Sequence, residues 1–292
     1  MTPGRLSIVI PARNEEFLVP TVTDLLKQAT GDVEVIAILD GWWPKPFFAP
    51  DKRLHILHRG EARGMRPGIN AGVLMSTGEF IMKIDGHCAV AQGFDEVLKS
   101  SCDETDIVIP EKYSLEPTTW TRKPKEPWHY FYLSWPWDPT LQCVSLQDRN
   151  YGKEYNAPRR HILVDDIMAY QGSAWVIRRK HFDRLRPQGL DDEHYYFCQE
   201  PVELGIRNWL SGGRVRIDKR TWYAHLWKGN AYPRQFPKVK GRWELAMEWS
   251  ARHWMRNEEP GMIHPFSWVV EKFWPLPGWP DNWQEEAAKR FA

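Results

Sequence analysis

Asp85, Gly86 and His87 close the apolar run GEFIMKIDGH and have the residue types and spacing of half a metal site. Residues i and i+2 of an extended chain lie on the same side, so Asp85 and His87 can reach one ion together. A carboxylate oxygen with an imidazole nitrogen suits Mn²⁺ better than Mg²⁺, which prefers oxygen and water ligands. In the alternative interpretation, Asp-Gly forms a turn after the strand and His87 is a surface residue.

Residues 5–110 alternate between strand-like and helix-like segments, and these elements must position the motif. The strand-like segments are short apolar runs: Arg5–Pro11, Val33–Asp40, Arg53–His58 and Glu79–Asp85. Apolar residues recur at helical spacing in Phe17–Leu26 and near Pro67–Met75. Runs that are apolar throughout indicate strands buried on both faces. The order therefore predicts a doubly wound α/β sheet.

Polar residues follow several of these strands. The loop Ala12–Glu15 comes after the first strand, Asp40 ends the second, and Asp85 ends the last. In doubly wound sheets, ligands bind beyond the carboxyl ends of the strands, near the point where the strand order reverses. We therefore expect one shared site at this edge of the sheet.

The motifs IVIPARNE, LDG and RGEARGMRPGINAGVLMSTGEFIMKIDGH follow one another through Leu6–His87. In this order they resemble the nucleotide-sugar half of a GT-A glycosyltransferase of family 2, and especially the polypeptide N-acetylgalactosaminyltransferase group. Most GT-A members carry Asp-x-Asp at the last motif, whereas that group carries Asp-x-His. FCQEPVELGIRNWLSGG (Phe197–Gly213) is similar to the group's Trp-Gly-Gly-Glu-Asn-x-Glu-Leu-x-x-Arg-x-Trp segment, and WYAHLWK (Trp222–Lys228) lies where the group has its third metal ligand.

The resemblance implies an α/β GT-A fold, in which a Rossmann-like nucleotide-sugar-binding sheet and an acceptor-side half form a single domain. Residues 1–260 would be the catalytic domain, with 1–110 as the nucleotide-sugar half and 111–260 as the acceptor and metal-completing half. Residues 261–292, rich in proline and aromatic residues, are expected to pack on this domain and to end in a short helix.

The resemblance also implies the site residues. Asp85, His87 and His225 would bind Mn²⁺ or another divalent cation, and the donor substrate would be a UDP-sugar. The residues expected to hold the uridine, the sugar or the diphosphate are Pro11, Arg13, Glu15, Asp40, Arg63, Arg66, Asn70 and Lys228. As an alternative, Arg63, Arg66 and Asn70 cap the helix that begins near Pro67.

Glu200 and Asp85 are predicted to be catalytic. Of these two carboxylates, Glu200 lies outside the metal motif. In the retaining group that the chain resembles, the matching glutamate positions sugar or acceptor, whereas inverting enzymes use a carboxylate to deprotonate the acceptor. Alternatively, the helix dipole stabilises Glu200 in a first turn that Pro201 marks. We expect retention because Asp-x-His and the downstream His225 occur together, although His225 has an alternative role as a packed neighbour of aromatic residues.

The function indicated is transfer of a sugar from a UDP-sugar to a hydroxyl acceptor by a hexosyl- or N-acetylhexosaminyltransferase. Two other enzymes remain open: an inverting family-2-type transferase for a surface glycan, and a transferase for hydroxymethylated bases of phage-type DNA. A sugar-nucleotide-binding scaffold without activity is the non-enzyme alternative. The sequence leaves open the sugar, the acceptor (protein, glycan or modified DNA base), the stereochemistry and the oligomeric state.

Residues 111–165 are dense in proline and aromatic residues and lack a clean period. A long irregular segment within a compact domain is usually functional, so we expect this one to recognise the acceptor. The chain also has 17 tryptophans and basic groupings such as Arg159-Arg160. Core packing explains the tryptophans, and a solvated surface explains the basic groupings. In the alternative interpretation, these residues form an acceptor platform that binds sugars, diphosphate or nucleic acid.

Composition adds expectations about partners and location. A net charge of +1 gives no global argument for a polyanionic partner. No apolar run is long enough for a signal peptide or a membrane anchor, so we expect a cytoplasmic protein, with a bacterial or phage origin open. The four cysteines show no C-x-x-C pairing and are expected to be reduced thiols: Cys88, Cys102, Cys143 and Cys198. Cys88 is expected to pack in the core.

Overall fold

The computed structural model describes residues 1–137, 144–196, 199–229, 232 and 241–291. The predicted alternation of strands and helices is present as β1 Thr2–Ala12, α1 Leu18–Gln28, β2 Val33–Asp40, β3 Leu54–Arg59, α2 Met65–Met75 and β4 Gly78–Ile84. The chain continues through β5 Cys88–Val90, α3 Phe94–Ser101, β6 Asp106–Glu116, β7 Thr121–Arg122, β8 Phe131–Leu133, β9 Asp148–Asn150, α4 Lys153–Asn156, a 3-10 turn at Ala157–Arg159, β10 Val164–Asp166, β11 Ala174–Arg178, α5 Arg179–Leu185, α6 Glu200–Leu210, β12 Arg214–His225, α7 Arg242–Met255, α8 Phe266–Lys272 and α9 Trp283–Phe291.

Strand β2 illustrates why these apolar runs fold as strands. All 8 of its residues are buried, because β1 and β3 pair with it on either side and helices cover its faces. Glu34 is the carboxylate within this strand, and it accepts hydrogen bonds from Ser7 Oγ and from the Thr77 backbone N–H, both at 2.6 Å. A buried polar group is tolerated when it is hydrogen-bonded in this way.

The main sheet has the strand order β10-β12-β6-β11-β4-β1-β2-β3. Strands β1 to β4 are parallel: the chain leaves β1 toward one edge through β2 and β3, and then crosses to the other side of β1 to form β4. Strand β11 runs antiparallel to β4 and joins this Rossmann-like half to the rest of the sheet. The order reverses between β1 and β4, which is where a ligand-binding crevice forms in such sheets.

Helices cover both faces of the sheet. Ile8 and Ile10 of β1 share a core with buried residues of α1 and α3, whereas Val9, between them, shares a core with α2. The core that contains Val9 also includes buried residues of α5, α6 and α8. This coverage on two sides explains why the strands are mostly apolar and do not alternate between apolar and polar residues.

Residues 111–165 contribute more to the core than their irregular pattern predicts. They form the end of β6, the strands β7 to β9 and most of β10, and side chains such as Tyr130, Phe131 and Leu146 lie in the main core. Within the described part of this segment, only Gln147 and Asp148 line the cavity presented below. Most of the described segment therefore packs in the core, and its recognition of an acceptor stays a prediction. Residues 138–143 lie outside the described residues.

The residues after 260 pack on the same core through α8 and α9, with Phe266, Val270 and Phe291 buried. Several tryptophans are likewise core residues, with Trp175 and Trp254 fully buried.

Two of the cysteines lie in the described structure. Cys88 and Cys102 are free and buried, and Cys88 packs in the core as predicted. The predictions for Cys143 and Cys198 concern positions outside the described residues. Among the described helices, none has the length and apolar composition needed to cross a bilayer.

Candidate metal centre and adjoining cavity

Glu15 and His87 join the carboxyl ends of β1 and β4 where the strand order reverses. His87 Nδ1 lies 2.9 Å from Glu15 Oε2. A carboxylate that accepts the Nδ1–H fixes the imidazole tautomer and leaves Nε2 free to act as a ligand. Gly86 permits this close approach, because a Cβ on it would lie 3.0 Å from Glu15 Cγ.

His225 reaches the same place through strand pairing. Strand β12 pairs antiparallel with β5 in a register that sets His225 opposite Cys88. The backbone N–H of Leu226 also donates to the carbonyl oxygen of His87, at 3.0 Å. Two histidines that are 138 positions apart in the chain are therefore neighbours.

Asp85, His87 and His225 each present one potential ligand atom, and these atoms all lie within 4.8 Å of one another. His225 Nε2 is 3.0 Å from His87 Nε2 and 3.2 Å from Asp85 Oδ2. Two ligand atoms at right angles around an ion, each about 2.1 Å from it, would be about 3.0 Å apart. Two nitrogens and one oxygen fit Mn²⁺ and other divalent transition ions, and they leave coordination positions open for substrate oxygens.

The environment of this cluster sets the protonation states that a cation requires. Burial lowers the pKa of His225 to about 3, although its hydrogen bond with Asp85 opposes the shift. Burial by itself would raise the pKa of Asp85, but the Lys83 charge and the His225 hydrogen bond outweigh it and hold that pKa below its ordinary value. At neutral pH His225 is therefore uncharged and Asp85 is ionised, which are the forms that bind metal.

Lys228 approaches the centre from the segment that follows β12. Its Nζ donates to Glu15 Oε1 at 3.0 Å, while the other oxygen of Glu15 faces His87. Burial raises the pKa of Glu15, but His87 and Lys228 together outweigh burial and leave that pKa below its ordinary value. An ammonium group carries three N–H donors, so Lys228 retains donors for an anion in the cavity.

A cavity of about 420 Å³ adjoins the centre. The predicted site residues that line it are Pro11, Arg13, Glu15, Asp40, Asp85, His87, Glu200, His225 and Lys228. They come from the ends of β1, β2, β4 and β12 and from the start of α6. The polar strand ends thus meet at one edge of the sheet.

Asp40 lines the cavity, but its carboxylate is already engaged within the protein. It accepts the backbone N–H groups of Arg63 and Gly64, each at 2.9 Å, and the Arg59 guanidinium lies 3.4 Å away. Gly64 has a φ of 98° and directly precedes α2. Asp40 therefore holds the loop that enters α2, while its predicted contact with uridine stays a prediction.

Arg66 does not line the cavity, in contrast to its predicted contact with the nucleotide or sugar. Its side chain is fully buried, pairs with Glu203 in the first turn of α6 and donates to the Asp191 carbonyl oxygen at 3.0 Å. A buried carboxylate requires a cation, so Arg66 is committed to Glu203.

Asn70 and Arg63 do not line the cavity either, and their predicted contacts with the nucleotide or the sugar stay predictions. The Asn70 amide accepts from the Leu190 N–H at 2.7 Å and donates to the Leu190 carbonyl at 2.9 Å. It therefore attaches α2 to the segment before α6 and does not cap its own helix. The Arg63 side chain is exposed.

Glu200 begins α6 and is only 1 % exposed, yet it borders the cavity. Its Oε1 accepts a hydrogen bond from the Trp175 indole N–H, and its Oε2 lies 3.4 Å from Lys83 Nζ. Burial raises the pKa of Glu200, and Lys83 and Trp175 oppose that rise. Lys83 was not predicted from the sequence, although alternation along β4 places it on the same side as Asp85 and was the available signal.

Several polar and aromatic residues that line the cavity were not predicted individually as site residues: Gln147, Asp148, Gln171, Ser173, Tyr196 and Trp243. The Ser173 hydroxyl is 2.7 Å from the Tyr223 hydroxyl, and its carbonyl accepts the Asp85 N–H at 2.9 Å, so this loop is fixed to the end of β4. The Asp148 carboxylate makes no hydrogen bond or ion pair with another described residue. Burial raises its pKa. Asp148 lies in a segment without periodicity, which offered no signal for it.

Residues 7–186 match the family described as Glycosyl transferase family 2, and this match covers well over half of the chain. The chain therefore belongs to glycosyl transferase family 2, and the predicted family is confirmed.

Curated relatives give a consistent result. The glycosyltransferase GlyG of Streptococcus pneumoniae serotype 4 is 28% identical over 120 residues, which are 38% of this chain and 40% of that protein. Probable N-acetylgalactosaminyltransferase 8 of Caenorhabditis elegans is 26% identical over 177 residues, 59% of this chain and 40% of that protein. Putative polypeptide N-acetylgalactosaminyltransferase 13 of Drosophila melanogaster is 24% identical over 251 residues, 77% of this chain and 42% of that protein. The chain spans about two fifths of the length of these relatives.

A solved structure of GalNAc-T7 with UDP, GalNAc and Mn²⁺ is similar to this chain, with a TM-score of 0.65 and 17% sequence identity. The similarity covers 97% of this chain and 55% of that chain. The predicted α/β GT-A fold is thereby confirmed.

Proposed function

We propose that this chain catalyses the metal-dependent transfer of a sugar from a UDP-sugar to a hydroxyl acceptor, with retention of the anomeric configuration. The observation that carries the proposal is the convergence of Asp85, His87 and His225 beside a cavity at the strand-reversal point. The relatives named N-acetylgalactosaminyltransferases, and a fold shared with a protein solved with UDP and Mn²⁺, support the choice of donor and cation.

In this proposal Asp85, His87 and His225 hold a divalent cation, which supplies Lewis-acid stabilisation of the charge that develops on the leaving diphosphate. Glu15 keeps the His87 ring oriented through Nδ1. Lys228 directs its remaining N–H donors to the diphosphate as charge-assisted hydrogen bonds. The loop Pro11–Glu15 lines the cavity in which we propose that the nucleotide binds. In this proposal the residues of the chain contribute mainly positioning and electrostatics.

The state of Glu200 favours retention. Both of its carboxylate oxygens face cationic or N–H groups, Lys83 and Trp175, so Glu200 is not free to take a proton from an acceptor hydroxyl. We therefore assign Glu200 to positioning the sugar or the acceptor, which is its role in the retaining reaction proposed here.

An inverting transfer is the second candidate, and Asp148 is the observation that favours it. This carboxylate lines the cavity and makes no hydrogen bond or ion pair with another residue in the described part of the chain. Burial raises its pKa, which suits a general base near neutral pH. Replacing Asp148 with asparagine separates the candidates, because an inverting enzyme would lose nearly all turnover and a retaining enzyme would not.

A donor screen tests the proposed function. The protein is incubated with Mn²⁺ and single UDP-sugars, and release of UDP and free sugar is followed by mass spectrometry, with EDTA as control. We expect Mn²⁺-dependent release from one or a few donors, and its loss in Asp85→Ala and His87→Ala. UDP binding that requires Mn²⁺ but is accompanied by no release would instead indicate the sugar-nucleotide-binding scaffold.

The same assay addresses acceptor and stereochemistry. Each predicted acceptor class (a protein, a glycan or DNA with hydroxymethylated bases) is added in turn with the preferred donor. The anomeric configuration of the purified product is then read from its proton NMR coupling constant. Retention supports the proposal, and inversion favours the Asp148 candidate.

A further inference from the structure

Lys83 occupies a position where a charged side chain is costly. The neighbouring β4 residues Phe80, Ile81, Met82 and Ile84 are buried and apolar, and Lys83 itself is 1% exposed. An ammonium group is strongly disfavoured in such surroundings unless opposite charges and hydrogen bonds compensate for lost hydration. The structure provides that compensation at the edge of the candidate site.

The Lys83 ammonium lies between three elements of the fold. It donates to Asp85 Oδ1 at 2.7 Å, donates to the Gly172 carbonyl in the loop before β11, and lies 3.4 Å from Glu200 Oε2 at the start of α6. Gly172 allows this arrangement, because a Cβ on it would lie 3.2 Å from Glu200 Oε2. All four residues line the same cavity.

This arrangement divides the two oxygens of Asp85. Lys83 engages Oδ1, whereas Oδ2 lies 3.2 Å from His225 Nε2 and faces the candidate metal centre. On the other side of the ammonium, Glu200 faces Lys83 with Oε2 and accepts the Trp175 indole N–H with Oε1. A continuous series of contacts therefore runs from Asp85 through Lys83 and Glu200 to Trp175.

We propose that Lys83 is a positioning residue that couples cation binding at Asp85 to the orientation of Glu200. The inference rests on the proposed function and assigns a role to a residue that this function leaves unexplained. When Asp85 shares its charge with a cation through Oδ2, its attraction for Lys83 weakens, and Lys83 moves closer to Glu200. Glu200 is thus in its working orientation only when the metal centre is occupied.

The first experiment observes Trp175 and requires no turnover. Zn²⁺ is used as a diamagnetic cation that suits histidine and carboxylate ligands. The Trp175 indole N–H resonance, assigned through Trp175→Phe, is followed by ¹H–¹⁵N NMR during a Zn²⁺ titration, and calorimetry confirms binding. We expect Zn²⁺ to shift this resonance in the wild type and to leave it unmoved in Lys83→Met, a variant that still binds Zn²⁺. A wild-type shift that persists in Lys83→Met would overturn the coupling.

Lys112→Met is the matched control. Lys112 is a second lysine buried within a strand, at 2% exposure, and its Nζ has no hydrogen-bond partner in the described structure. Its ammonium lies 4.1 Å from the centroid of the Trp227 ring and is not in contact with Glu200. We expect this variant to keep the Trp175 shift, and loss of the shift here would show that removing any buried lysine suffices.

The second experiment is a double-mutant cycle on kcat at saturating Mn²⁺ and donor. We expect Lys83→Met and Glu200→Gln each to lower kcat by about 10- to 100-fold with little change in KM. The double variant should lose no more than the worse single variant, because the two residues act as one unit. Additive losses would overturn the coupling. The double variant also removes one of the carboxylate charges that Lys83→Met leaves uncompensated. Where Lys83→Met does not fold, the double variant is compared with Glu200→Gln alone: equal kcat values support the coupling, and a further loss in the double variant would overturn it.

Failure of this inference can be told apart from failure of the proposed function. Wild-type protein that binds no UDP in the presence of Mn²⁺ contradicts the proposed function. Intact UDP binding and transfer, together with additive losses or a Zn²⁺ shift that persists in Lys83→Met, contradicts only the role of Lys83.

Discussion

Glu15 and His87 are joined across the strand-reversal point, with Glu15 Oε2 2.9 Å from His87 Nδ1. The carboxylate therefore orients the imidazole of a candidate metal ligand, and a residue that the resemblance assigned to uridine binding has a direct partner in the metal centre. The other oxygen of the same carboxylate holds Lys228. One side chain thus aligns a metal ligand and a candidate diphosphate-binding lysine.

Replacing Glu15 with alanine should weaken Mn²⁺ binding about 10- to 100-fold, because the His87 ring loses the partner that fixes its tautomer and orientation. Isothermal titration calorimetry of the protein with Mn²⁺ measures this. Glu16→Ala is the matched control, since Glu16 is the exposed neighbour. Equal Mn²⁺ affinities in the two variants would contradict the prediction.

Replacing His225 with alanine should lower Mn²⁺ affinity and slow transfer by orders of magnitude, because the three-ligand centre loses a nitrogen. The comparison is a Mn²⁺ titration beside wild type, with thermal melts of both proteins. His58→Ala serves as control, since His58 stacks on Trp43 with ring centroids 4.1 Å apart and does not line the cavity. An unchanged Mn²⁺ dependence with a lowered melting temperature would mean that His225 only packs.

UDP should raise the melting temperature when Mn²⁺ is present, and GDP, CMP and dTDP should raise it less. A ligand at about 100 times its Kd stabilises the folded state by about 2.7 kcal/mol. Asp40→Ala should reduce the UDP effect, because the loop at Arg63 and Gly64 loses its hydrogen-bond acceptor. Asp51→Ala, outside the cavity lining, should keep it. Equal shifts from all four nucleotides would refute the uridine assignment.

Replacing Arg66 with leucine should cost about 3 kcal/mol of unfolding free energy, because removal of one partner leaves a buried carboxylate less compensated. The loss is at the low end for such pairs, since Arg186 Nη1 remains 3.0 Å from Glu203 Oε1. Urea unfolding measures the loss, and UDP affinity should be unchanged. Weakened UDP binding at unaltered stability would support the contact predicted from the sequence instead.

Lys112 should make stability depend on pH. Burial lowers the pKa of Lys112 to about 7, and the charge of Asp148 opposes the shift only in part. Between about pH 7 and the ordinary lysine value of about 10.4, the unfolded chain binds a proton that the folded chain does not, so this group makes stability rise with pH. Lys112→Met should remove that rise and be more stable than wild type at neutral pH, by about 1 to 3 kcal/mol.

Urea unfolding across this pH range measures the effect, with Lys27→Met as control because Lys27 is exposed. The gain should shrink as the pH approaches the ordinary lysine value. A stability difference between Lys112→Met and wild type that does not change with pH would show that Lys112 keeps its proton in the folded state.

The first half of the fold was accessible from the sequence because its signals are local. The runs that became β1, β2 and β4 are mostly apolar, and polar residues at their ends mark the edge where Asp40 and Asp85 both line the cavity. The antiparallel insertion of β11 beside β4 and the pairing of β12 with β5 were not accessible, since strand register over long separations leaves no periodic trace. His225 therefore entered our predictions through family resemblance and not through spacing.

The predictions for the site residues show the same difference between local sequence signals and long-range contacts. Glu15 and Lys228 were singled out as nucleotide ligands, and the structure adds that they bind each other. The resemblance implied that Arg66 contacts the nucleotide or sugar, but its side chain is directed to Glu203, more than a hundred residues away. Lys83 was not predicted, although alternation places it on the same side as Asp85, because its other partners, Gly172 and Glu200, belong to distant segments.

The pairing of β12 with β5 also bears on the order in which the protein forms. Glu15, Asp85 and His87 are synthesised before His225, and their half of the sheet can begin to fold while later residues are still being added. His225 follows His87 by 138 positions, so the proposed set of ligands is complete only after the intervening segment has been made. A cation that requires all three ligands therefore stabilises only chains whose two halves have joined, and it shifts the folding equilibrium of the domain as a unit.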